Sequence, residues 1–142
     1  MFKQTDPLPR GIRNNNPMNI RENQRSDFDW EGEHDEDFDP DFEEFTKPIY
    51  GFRASARILR SYSIRGVNSV EDIISTWAPA EDKNDVEAYI KSICDMTGLE
   101  RKYLVDHRDY ADLFAAMTFH ENGMQPYSPD VISNGIALAF KG

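Results

Sequence analysis

PIYGFRASARILRSYSIRG, residues 48 to 66, decides the fold class. Ile49, Phe52, Ala56, Leu59 and Tyr62 return at three- and four-residue spacing and form one apolar stripe of a helix. Pro48 suits a first helical turn, where its missing N–H leaves nothing unpaired. Gly66 suits the stop, because it tolerates a left-handed backbone. The same pattern repeats downstream. Ser69, with Asp72 three residues on, reads as the N-cap of a helix over Val70 to Trp77, which Ala78-Pro79 halts. Asp85 to Thr97 is a third helix, with Val86, Tyr89, Ile90 and Ile93 inward and Gly98 at its end. Asp109 to Glu121 is a fourth, and Ser128 caps a fifth over Pro129 to Phe140.

Upstream the pattern changes. RGIRNNNPMNI, residues 10 to 20, is a strong turn signal, since asparagine tolerates left-handed backbone and bonds its own chain. Met18 to Thr46, with Trp30, Phe38, Phe42 and Phe45, reads as two or three short strands joined by polar turns. Residues 1–10, with prolines at 7 and 9, read as a flexible arm. The expected architecture is a single α+β domain over residues 11–142, mostly helical, with a small β-element followed by about five helices.

Composition narrows the function classes. A chain of 142 residues with 12% aromatics is long enough to bury one core. The net charge of −10 is concentrated: eleven acids and no Lys or Arg lie between Asp27 and Glu44, leaving fifteen acids against sixteen bases elsewhere. No basic tract stands out, so nucleic-acid binding through phosphates is not expected. Asp35, Asp37, Asp39 and Asp41 alternate as in a calcium loop, but Pro40 and Thr46 stand where that loop needs glycine and glutamate. No His/Cys cluster has zinc spacing, and no nucleotide fingerprint occurs, so neither metal nor cofactor is expected. The single cysteine, Cys94, sits in an apolar helical pattern and reads as core. No signal peptide or membrane span is visible, which predicts synthesis in a cytoplasm and no membrane partner.

The chemistry concentrates near the end of the chain, at His120-Glu121-Asn122-Gly123. A carboxylate there sits where a helix runs into glycine. The helix C-terminus carries partial negative charge and opposes ionisation. The apolar residues before it, Leu113 to Phe119, would desolvate the acid and raise its pKa further. A carboxylic acid protonated near neutrality is the general acid that glycosidic cleavage needs. Around it the chain offers the aromatic faces and amides of a sugar site: Asn15, Asn16, Trp30, Gln125 and Tyr127. Trp77, on an apolar helix face, reads as core.

RGIRNNNPMNI, Trp30-Glu31-Gly32, Phe42 to Phe45, Lys47-Pro48, Gly51 to Ala54, Trp77 to Pro79, Tyr89-Ile90, Thr97-Gly98 and HENG-x-x-PY together resemble a family of bacteriophage and prophage proteins. Its members are virion structural proteins or lysozyme-like cell-wall hydrolases. The resemblance runs from Arg10 to about Ala139, with Met18 where the family usually has glycine. More distantly, the Asn-Asn-x-x-x-Ile turn, the Trp-x-Gly segment and the helix beginning near Tyr50 are similar to the β-lobe order of bacterial glucosaminidases and flagellar muramidases. In that group the catalytic glutamate precedes this block, whereas Glu121 follows it. A circular permutation of a lysozyme-like domain would account for both facts, and it predicts that Glu121 faces the asparagine turn across a groove.

These resemblances imply a peptidoglycan glycosidase, muramidase or lytic transglycosylase, acting on glycan strands at the cell wall or within the virion. Glu121 would be the general acid. Asp39 would be the second carboxylate, with Asp37 and Glu33 as substitutes, unless the substrate's own hydroxyl attacks. The alternative is a catalytically inactive virion or prophage structural protein whose acidic segment binds other virion proteins. A third reading, an acidic mimic of nucleic acid, fits less well because the acidic run is short.

Overall fold

A computed structural model describes residues 8–22, 30–36, 38–80 and 84–141. The helices are α1 (Arg10–Arg13), α2 (Pro48–Ile64), α3 (Val70–Trp77), α4 (Val86–Thr97), α5 (Tyr110–Asn122) and α6 (Pro129–Ala139), with a 3₁₀ turn at His107–Asp109. The five long helices are those expected, and their ends obey the expected chemistry. Ser69, Asp85 and Ser128 each accept a backbone N–H of the first turn. Gly98 and Gly123 close α4 and α5 in the left-handed conformation, with φ of +77° and +73°.

The expected strands do not form among the described residues. Backbone pairing there is limited to isolated antiparallel bridges, Arg21 to Phe42, Glu33 to Phe45 and Ser69 to Leu104. The N-terminal third is held by a few backbone bonds, such as Glu43 N to the Ile20 carbonyl (3.0 Å) and His34 N to the Glu44 carbonyl (2.8 Å), together with side chains. Asn16 is fully buried; its Nδ2 donates to the carbonyls of Ile20 (2.9 Å) and Glu43 (3.0 Å), and its Oδ1 accepts from Ile20 N (2.9 Å). One asparagine thereby bonds three backbone groups and ties residue 20 to residue 43. The domain is thus mostly helical, with irregular structure where a β-element was anticipated. Arg10, at the end of the expected arm, belongs to α1 and is ion-paired; residues 1–7 lie outside the described residues.

α2 is the axis of the core. Phe52, Ala56, Leu59 and Tyr62 are buried along it, and Phe52 stacks on Phe114 of α5. Burying each large apolar side chain contributes about 2 kcal/mol. α6 lies against α2 at close range because residue 135 is glycine: a Cβ there would stand 2.6 Å from Phe52 Cβ and 2.7 Å from the Ile49 carbonyl. α5 packs between α4 and α6 and delivers its last turn to the asparagine turn after α1.

Candidate functional site

Glu121 occupies the final turn of α5, two residues before Gly123. Oε1 accepts a hydrogen bond from Asn19 Nδ2 at 3.0 Å, and Oε2 accepts from the Tyr89 hydroxyl of α4 at 2.8 Å. Burial raises the Glu121 pKa, against the lowering effects of the Asn19 and Tyr89 hydrogen bonds and the Arg21 charge. The carbonyl end of α5 opposes ionisation in the same direction as burial. Tyr89 is almost completely buried, and burial, then the Glu121 charge, holds its hydroxyl well above the ordinary tyrosine range. It therefore acts here as a neutral hydroxyl. The His120 imidazole stacks on the Tyr89 ring (3.8 Å, 25°), and burial lowers its pKa. His120 supports the wall rather than donating a charge.

Glu121 opens onto a groove of about 340 Å³, whose lining includes Arg21, Phe42, Tyr62, Trp77 and Asn84. Trp77 meets Tyr62 edge-on (6.5 Å, 73°), and its Nε1 donates to the Met18 carbonyl at 3.1 Å. Trp77 is half-buried: it packs against the core, as expected, and also lines the groove. The Arg21 guanidinium lies 5.0 Å from the Phe42 ring centroid. Among the described residues lining this groove, Glu121 is the single carboxylate. An acid of raised pKa, a cation, amides and aromatic faces around one concavity match the chemistry of a sugar site.

The other sequence-derived candidates fall elsewhere. Asp39 is buried and ionised. Arg10 grips it with Nε at 2.6 Å and Nη2 at 2.5 Å, Asn14 Nδ2 donates at 2.9 Å, and the amides of Asp41 and Phe42 donate at 3.0 and 3.1 Å. The Arg10 fork, followed by the backbone and Asn14 bonds, holds its carboxyl far below the usual carboxylate range despite burial. Asp39 does not line the Glu121 groove. Asn15 donates to the Phe45 carbonyl at 3.1 Å, and Asn16 is consumed by the backbone bonds described above. Trp30 lines a separate acidic concavity of about 440 Å³ with Glu33, His34, Glu36 and Glu44. Gln125 lies at a third, beside Met96 and Phe119, and its Oε1 accepts from Tyr127 N at 2.6 Å. The Tyr127 ring packs edge-on against Phe52 (5.3 Å, 88°), and burial pushes its hydroxyl up to about 12. Asp37 lies outside the described residues.

Glu121 does meet the asparagine turn, through Asn19 rather than Asn15 or Asn16. Sequence reasoning passed over Asn19, Tyr89 and Trp77. Asn19 carried a usable signal: it is a further asparagine beside the turn, and like Asn15 it takes the left-handed backbone that asparagine tolerates, with φ of +53°. Tyr89 and Trp77 carried none, since an inward aromatic on an apolar helix face looks the same whether or not a groove opens beside it. Among the described residues no group of three or more His, Cys, Asp or Glu side chains is arranged to hold a metal ion.

No family model matches the chain. A relative does: Protein P5 of Pseudoalteromonas phage PM2 is 45% identical over 140 residues, covering 98% of this chain and 87% of that one. The chain belongs to the Protein P5 family. Similarity at this level along nearly the whole length extends across both the asparagine turn and the HENG segment, so the two halves of the groove lie inside the matched region. The phage side of the sequence resemblance therefore stands. No described helix is long and apolar enough to cross a membrane.

Proposed function

We propose that this protein is a phage particle component with a lysozyme-like groove that cleaves peptidoglycan glycan strands, with Glu121 as the general acid. Membership of the Protein P5 family supports the phage assignment. The observation carrying the chemistry is the Glu121 carboxyl, desolvated at a helix C-terminus yet opening onto a groove with Trp77, Tyr62, Asn84 and Arg21. A protonated Glu121 would deliver its proton to the glycosidic oxygen as the bond to the sugar carbon breaks and positive charge develops there. The charge then needs a nucleophile. With Glu121 the single carboxylate of the described lining, and Asp39 committed to Arg10, a hydroxyl of the same sugar is the better candidate, its proton returning to Glu121. That is the lytic transglycosylase form of the reaction. The protein would be made in the host cytoplasm and act at the wall or from the particle.

A second reading has its own support. Both Glu121 oxygens already have partners, and a carboxyl pinned by Asn19 and Tyr89 also serves to lock α5 to α4 and to the asparagine turn. On that reading the protein is a non-catalytic virion component, and the acidic face around Glu33, Glu36 and Glu44 binds basic particle proteins.

Release of soluble muropeptides from purified sacculi by the native protein and by Glu121→Gln decides between the two. Release by the native protein and its loss in the variant is expected. An inactive native protein, on sacculi that a control lysozyme digests, would leave the second reading.

A further inference from the structure

The asparagine that touches Glu121 leaves a polar account unbalanced. Asn19 donates Nδ2 to Glu121 Oε1, while its own Oδ1 is buried without a hydrogen-bond partner. Asn122 Oδ1 is buried and unpartnered as well. The Asn122 amide cannot turn to relieve this, because its Nδ2 is already engaged with the carbonyls of Pro17 (2.7 Å) and Thr118 (3.0 Å). The two orphaned oxygens share one notch: each lies 2.6 Å from the point that a Cβ on Gly11 would occupy, with the Asn16 carbonyl at 2.8 Å from it. Three acceptor oxygens thus converge on a space kept open by a glycine. Each buried acceptor without a donor costs about 1–3 kcal/mol.

Turning the Asn19 amide by 180° about its last bond exchanges oxygen and nitrogen without changing its outline. The NH₂ then faces the notch and supplies the donor that the Asn122 oxygen lacks. Oδ1 then faces Glu121 Oε1. Two acceptor oxygens 3.0 Å apart are compatible only when a proton lies between them, and Glu121 is the group that can supply it. Oε2 remains an acceptor for the Tyr89 hydroxyl. We propose that Asn19 is a positioning residue that holds the Glu121 proton on Oε1 by presenting Oδ1 to it while its NH₂ fills the Gly11 notch.

The other groups facing the carboxyl agree with this arrangement. Tyr89 from α4 stays neutral and donates to Oε2; His120, on α5 itself, is directed onto the Tyr89 ring. Among the described residues, Arg21, from the segment after the asparagine turn, is the charged group that acts on Glu121, and it favours the ionised form. The inference deepens the catalytic reading by naming what stores the proton, yet it does not need turnover to be tested.

The experiment is NMR on the intact protein, with Asn19→Gly as the variant because glycine accepts the φ of +53° without strain. In the native protein the Asn19 side-chain amide protons should show contacts to Gly11 Hα. Contacts to the Glu121 methylene protons in their place would overturn the proposal. Removing an acceptor of the proton destabilises the neutral acid, so the Glu121 carboxyl of Asn19→Gly should titrate at lower pH than in the native protein. If Asn19 instead donates to the carboxylate, its loss moves that titration to higher pH, which is the opposite sign. Muropeptide release by the native protein is scored separately. An inactive protein with the expected contacts and shift defeats the glycosidase reading and leaves Asn19 as the proton's partner.

Discussion

Glu121 and Asp39 are both carboxyls withdrawn from solvent and tied to the same asparagine turn, and their pKa values are shifted in opposite directions. Asp39 receives a guanidinium fork and three further donors, and stays ionised. Glu121 receives neutral partners, an amide and a phenol, at the negative end of a helix, and its ionisation is opposed. Burial pushes both pKa values upward; the number and charge of the donors decide the outcome. The ionised acid fastens the N-terminal segment to α1, and Glu121, whose ionisation is opposed, is the group we propose as the acid of the groove.

The comparison breaks most visibly by exchanging acid for amide. Glu121→Gln should lower muropeptide release at least about 100-fold, the usual size of a lost general acid, while circular dichroism stays native. The same variant should also be the more stable protein above pH 4.5. A raised folded-state pKa contributes stability below the unfolded value of 4.5, and that contribution is lost as pH rises through the folded value. The stability gap between variant and native protein therefore opens as pH rises from 4.5 through the folded-state value, as read from urea midpoints.

Asp39→Asn should do the reverse. A lowered folded-state pKa contributes stability above the unfolded value of 3.8 and loses it as pH falls through the folded value. Its penalty should be about 2 kcal/mol at neutral pH, the scale of hydrogen bonds to a charged group, and should shrink in acid. Equal pH profiles for the two variants would end the comparison.

Gly11→Ala sharpens it further. A methyl group in the notch meets Asn19 and Asn122 at once and should cost about 1–2 kcal/mol, the overpacking scale, with a loss of muropeptide release larger than its effect on folding. The smallest effect is expected from Trp77→Phe. It keeps an aromatic wall but drops the bond to the Met18 carbonyl, for a cost of at most about 1 kcal/mol, measurable as a change in tryptophan fluorescence and in KM.

The two halves of the chain were not equally readable. α2 to α6 announce themselves through local instructions: apolar residues at helical spacing, joined by a capping Ser or Asp at α3, α4 and α6 and by a terminal glycine at α4 and α5. The segment from Met18 to Phe45 has aromatics at spacings that suit strands, yet its order comes from contacts such as Asn16 with Glu43 and Arg10 with Asp39. No local pattern encodes those pairs. The site divides the same way. Glu121 was legible because helix end, apolar run and glycine are all local to it. Its partners stand 32 and 102 residues away and become visible only when the chain has folded. Asn15 and Asn16 were chosen as sugar ligands for their amides, which are spent on the backbone of their own turn and its neighbour.

A carbon-detected NMR titration of the Glu121 carboxyl in the native protein tests the central claim most directly. The account predicts a midpoint above the ordinary glutamate value of 4.5, with the carboxyl shielded from solvent. A midpoint at or below that value would mean that the groove holds a carboxylate, and the assignment of Glu121 as an acid would be contradicted.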